Sequence, residues 1–150
     1  MLYRNILVPV DGSEHAKAAL LHAIGLARDQ HARLTLLTVV PPPPAVAVAG
    51  SAQVLTLQAD CFKHALREAV DSLPDDIGVT HVLLHGKPAR EIAEHIAKGD
   101  YQLVVMGTHG RGRIGEAVLG SVSRAVVNRS ETPVLLVHAS GETVEPEAVP

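Results

Sequence analysis

The chain has 150 residues, 47% of them hydrophobic, with 13 Lys and Arg against 16 Asp and Glu for a formal charge of -3. That length and apolar content suit one globular domain with its own core and exclude a mostly disordered chain, while the charge excludes a globally basic surface for duplex nucleic acid or an anionic membrane. Two Tyr, one Phe and no Trp leave the core to Val, Leu, Ile and Ala, a make-up that fits a parallel α/β sheet better than a β-sandwich and leaves no stacking platform for single-stranded nucleic acid.

In chain order, residues 3–10 (YRNILVPV) read as a buried strand ended by the turn-formers Asp11-Gly12. Ser13 suits the cap of a helix over 14–29, where Ala16, Ala19, Leu20, Ala23, Ile24 and Ala27 recur on one face. Residues 33–40 form the second strand. Pro41 to Pro44 then block helix and ladder alike, so 41–51 is expected to be a mobile loop. Over 52–73 the residues Val54, Leu57, Cys61, Ala65, Leu66, Ala69, Val70 and Leu73 trace a helical stripe, with Cys61 as a small core residue. A third strand over 79–85, a helix over 89–98, a fourth strand over 101–106, a helix over 120–129 and a fifth strand over 132–137 complete the pattern. The domain thus spans 1–138, and the acidic tail 139–150 is expected to fray.

Strands alternating with helices predict a single-domain, doubly wound parallel sheet, which binds ligands at the carboxyl ends of its strands. Two loops fall there, Pro9–Ser13 and Gly107–Gly115. A single cysteine permits no internal disulfide, no run is long enough for a transmembrane helix, and the short apolar N-terminal stretch does not read as a signal, so a cytoplasmic setting without a membrane partner is expected.

The second loop carries most of the chemistry. Glycines at 107, 110, 112 and 115 let backbone N–H groups approach an anion, and Gly120-Ser-Val-Ser123 opens a helix whose first N–H groups suit a phosphate. Residues 107–129 hold four arginines against Glu116 alone, a net +3, leaving -6 on the rest of a chain whose total is -3. No Walker A motif is present, because Gly86-Lys87 is followed by Pro88. Gly110-Arg-Gly-Arg-Ile-Gly115 matches GxGxxG, but about twenty residues on stands Glu131, ahead of the last strand instead of at a strand end, which disfavours a dinucleotide.

Gly107-x2-Gly110-x9-Gly120-Ser121 matches the nucleotide-binding signature G-x2-G-x9-G-[ST] of the universal stress protein family, which the chain resembles over residues 2–138. The phrases ILVPVDGSEHA, LVVMGTHGRG and TPVLLV also resemble that family's first, fourth and fifth strands. The resemblance implies strand order 3-2-1-4-5, with the two loops facing each other across one crevice. It further implies ATP (or ADP or AMP) as ligand, with Mg2+ accompanying the phosphates. By the same resemblance Pro9, Val10, Asp11 and one of Val39 or Val40 face adenine and ribose, while Met106, Gly107, Gly110, Gly120, Ser121, Val122 and Ser123 close over base, ribose and phosphates. Arg111 adds positive charge there. The chain departs from its relatives in the Pro41–Pro44 run and in Gly115-Glu-Ala.

Nine histidines are scattered singly, so no metal-ligating set is expected, and no Ser-His-Asp spacing or carboxylate pair marks a catalytic site. The leading expectation is therefore a cytoplasmic, ATP-binding regulatory or stress-response module. Two alternatives stand beside it: a slow ATPase or another enzyme acting on adenine nucleotides, and a structural module that pairs as a homodimer through the strand 132–137 without nucleotide.

Overall fold

Parallel strands buried on both faces need apolar residues at successive positions, and the central strands of this chain supply them. The structure is a computed structural model that describes residues 2–43, 52–109 and 119–139. Five strands alternate with four helices: β1 (Asn5–Pro9), α1 (Glu14–Gln30), β2 (Arg33–Val40), α2 (Ala52–Asp71), β3 (Val79–His85), α3 (Pro88–Lys98), β4 (Leu103–Gly107), α4 (Ser121–Arg129) and β5 (Val134–Val137). The sheet is wholly parallel in the order β3-β2-β1-β4-β5, as the resemblance implies. Most of the expected loop 41–51, the glycine-rich stretch 110–118 and nearly all of the tail lie outside the described residues.

Alternation along each strand divides the core in two. Ile6 and Val8 of β1, Leu34 and Leu36 of β2 and Leu103 and Val105 of β4 pack with Ala19, Leu20, Ala23 and Ala27 of α1 and Leu66 of α2. Leu7, Leu37, Val39, Val104 and Met106 turn the other way, onto Ile92 and Ile96 of α3 and Val126 of α4. The small side chains of Ala19, Ala23 and Ala27 let the axis of α1 come close to the sheet, and the helix begins as expected, with Ser13 Oγ accepting from the Ala16 N–H at 3.2 Å.

Two expectations are corrected, besides the first and fifth strands, which run Asn5–Pro9 and Val134–Val137 instead of 3–10 and 132–137. The fourth strand begins at Leu103 instead of residue 101, because the Gln102 side chain takes over the ladder's role: its Oε1 accepts from the N–H groups of Arg4 at 3.0 Å and Asn5 at 2.7 Å. Cys61 is exposed, not core. Its neighbour Phe62 turns inward together with Ala65 and Leu66, while Val54 and Leu57 of the expected stripe stay 52% and 65% exposed. One residue is about 100° of helical rotation, so docking α2 by Phe62 carries Cys61 out to its flank.

Candidate functional site

At the carboxyl end of the sheet, where the strand order reverses between β1 and β4, a cleft of about 240 Å³ opens. Its walls come from most of the elements. Pro9, Val10 and Asp11 leave β1, and Val39 stands on β2. Met106 and Gly107 end β4, and Gly120 to Ser123 open α4. These are the residues that the sequence singles out, now gathered around one space. Val40 does not line the cleft. Successive strand residues face opposite sides of a sheet, so only one of Val39 and Val40 can share the face of Met106 and Ile92, and it is Val39. Gly110 and Arg111 lie outside the described residues.

Local geometry sets the polar groups of this space. Asp11 Oδ1 accepts from the Ser13 N–H at 2.9 Å, and Gly12 takes φ +83°, so the chain turns sharply and the carboxylate sits at the head of α1. Across the cleft, Gly120 caps α4 without a side-chain hydrogen bond. The N–H groups of the first turn of α4 have no acceptor within their own helix and carry its positive dipole end. The ends of the glycine-rich stretch are tied together, since the Gly120 N–H donates to Thr108 O at 2.9 Å and the Thr108 N–H donates to Val137 O at 3.0 Å. Ser123 is buried, and its hydroxyl donates to Gly107 O at 2.8 Å, so this side chain fastens α4 to β4. Gly107 itself is packed against α1, for a Cβ there would stand 2.7 Å from His15 C.

The structure adds residues that sequence reasoning passed over. Phe62 lines the cleft from α2, and Pro88 and Ile92 do so from α3. An aromatic therefore joins Pro9, Val39 and Met106 in the wall. Its signal in the sequence is faint: Phe62 is the chain's one phenylalanine, a single position off the apolar stripe.

His109 also lines the cleft and is buried. Behind it stand His15, from the first turn of α1, and His138, one residue past β5. The ring centroids of His15 lie 5.2 Å from His109 and 4.9 Å from His138. Burial first, then the neighbouring His138 and His109 rings, lower the pKa of His15 below the usual histidine value, against opposing pulls from Asp11 and Glu14. Three histidines so far apart in the sequence offered no spacing that would pair them.

An apolar floor, one carboxylate and a helix N-terminus around a single cleft can hold an amphipathic ligand with an anionic end. No helix of the described chain is long and apolar enough to cross a membrane. Comparison with known proteins agrees with the fold and identifies the lineage. The chain is 35% identical over 141 residues to universal stress protein MJ0531 of Methanocaldococcus jannaschii, covering 91% of this chain and 82% of that protein. Among solved structures it resembles hypothetical protein MJ0577, with TM-score 0.83 and 26% identity over 95% of this chain and all (100%) of that one. It also resembles a universal stress protein solved in complex with cAMP, with TM-score 0.68 and 28% identity over 93% of this chain and 100% of that chain. The universal stress protein family matches residues 2–138, and the chain belongs to that family.

Proposed function

We propose that the cleft is an adenine-nucleotide site and that the protein is a cytoplasmic, ATP-binding regulatory module whose nucleotide occupancy adjusts conformation or partner binding. The observation that carries this reading is the convergence of the Asp11 turn with Gly107 and Gly120-Ser121 at the sheet's reversal point. The base lies in the apolar part of the cleft, between Pro9, Val39, Met106 and Phe62. The ribose hydroxyls meet Asp11, and the phosphates meet the first turn of α4 with Gly110 and Arg111 of the glycine-rich stretch. Asp11 is the one carboxylate among the described residues of the lining, and Mg2+ is held chiefly by phosphate oxygens with one or two carboxylates, so the lining fits that ion only together with a nucleotide. The related protein in complex with cAMP supports the ligand class.

Equilibrium dialysis with ATP, ADP and AMP, on the parent and on Gly110→Val, tests the proposal. Binding by the parent and its loss in the variant are expected, and an inert parent ends the reading. Mass spectrometry of the nucleotide released from denatured protein identifies the natural occupant. Saturating nucleotide at a hundred times its Kd stabilises the fold by about 2.7 kcal/mol, which a thermal scan detects. Turnover is expected to be slow at most, since no Walker lysine is present. Phosphate release of many per second at saturating ATP would instead establish an enzyme.

A homodimer through β5 is proposed beside this. β5 is an edge strand with Leu135 38% exposed, and an edge offers unpaired backbone groups to a symmetric partner. Light scattering that finds only monomer removes the assignment.

A further inference from the structure

We infer that His15, His109 and His138 form a binding site for a late first-row divalent transition ion, such as Zn2+, behind the cleft and independent of nucleotide. One ligand nitrogen from each ring lies within 4.8 Å of the others. Tetrahedral Zn2+ with bonds of about 2.0–2.1 Å sets its nitrogens roughly 3.4 Å apart, so rotation of side chains closes the remaining distance. The three rings come from three anchored points, namely the first turn of α1, the residue after Thr108 and the end of β5. The exposed His138 provides an entry path, and the buried His109 forms the side toward the cleft. Three imidazoles without a carboxylate select Zn2+, Ni2+ or Cu2+ over Mg2+ or Ca2+, which prefer oxygen.

The surroundings of the rings are those of oriented ligands. Thr108 Oγ1 stands 3.1 Å from Nδ1 of His109 and 3.1 Å from Nδ1 of His138. A hydroxyl oxygen has two lone pairs and can accept from both Nδ1–H groups, which holds the two rings in orientation. His15 differs. Its Nδ1 accepts from the Ala139 N–H at 2.9 Å. Coordination through Nδ1 displaces that N–H, and coordination through Nε2 moves the ring proton to Nδ1, where it opposes the same N–H. Either way one bond to the ion forms and the Ala139 hydrogen bond breaks. The ion therefore loosens the chain where it leaves β5 while joining α1 to the start of the glycine-rich stretch.

The test uses the full chain without a polyhistidine tag or nucleotide, so its outcome does not depend on whether the cleft binds ATP. Equilibrium dialysis with Zn2+ should show one ion per chain, with affinity lowered roughly tenfold or more in His15→Ala and His138→Ala. His22→Ala, on the exposed flank of α1, serves as control and should bind as the parent does. Because His138 is exposed, its variant is expected to fold, which far-ultraviolet circular dichroism checks. In amide-exchange NMR, Zn2+ should speed exchange at Ala139 in the parent. A parent that binds no Zn2+, equal affinity in His138→Ala, or an Ala139 amide indifferent to Zn2+ overturns the inference.

Discussion

Gly107→Ala adds one methyl group at the junction of sheet, cleft and α1. That carbon would lie 2.7 Å from His15 C, 2.7 Å from His15 Cβ and 3.0 Å from Ala16 N. Two of the three atoms are backbone at the start of α1, where the Ser13 cap holds the first turn, so no side-chain rotation relieves the clash. Inserting a methyl group into a packed interior costs about 1–3 kcal/mol. For a chain of this length the melting temperature then falls by roughly 2–12 °C. Gly25→Ala, within α1, is the control. Nothing lies within 4 Å of its added carbon, and replacing a mid-helix glycine by alanine stabilises by about 0.5–1 kcal/mol. Thermal unfolding followed by far-ultraviolet circular dichroism should therefore move the two variants in opposite directions. A Gly107→Ala protein that melts at or above the parent would refute the close packing of β4 against α1.

Other outcomes follow from single contacts. Ser123→Ala removes the buried hydroxyl that donates to Gly107 O and should cost about 1–3 kcal/mol, read as a lower urea midpoint at unchanged slope; an unmoved midpoint contradicts that role. Ser13→Ala, which loses the α1 cap, should cost about 1 kcal/mol in the same assay. His95, half-buried, with Nε2 2.7 Å from the Tyr101 hydroxyl, has its pKa lowered by burial. Below the unfolded value of 6.5 the unfolded chain takes up a proton that the folded one resists, so stability falls as pH drops from there toward the lower folded pKa. His95→Gln does not titrate and should lose less stability between pH values above and below 6.5; an equal loss in both proteins would place the effect elsewhere.

Much of the architecture was legible because local signals agreed. The bounds of β2 and β3 match the reading from apolar runs, and the Ser13 cap and the starts of α1 and α2 match the reading from turn residues and periodicity. The cleft was legible as well, since the end of a strand followed by Asp-Gly or by repeated glycine marks the two loops that a doubly wound sheet brings together. The strand order came from the resemblance instead, because periodicity records which face of an element is apolar and not which element lies beside it.

The sequence by itself determined the fold class, the aliphatic core and a glycine pattern of fixed spacing, each written in local residue order. Tertiary structure alone decided the rest. It set the rotation of α2 that buries Phe62 and exposes Cys61, because that angle depends on what the sheet presents to the helix. It chose Val39 over Val40 through the side of the sheet on which α3 packs. It assigned Gly107 to close packing against α1, a neighbour that chain order does not reveal. And it drew His15, His109 and His138 together, because parallel strands with helical crossovers return distant segments to the same end of one sheet.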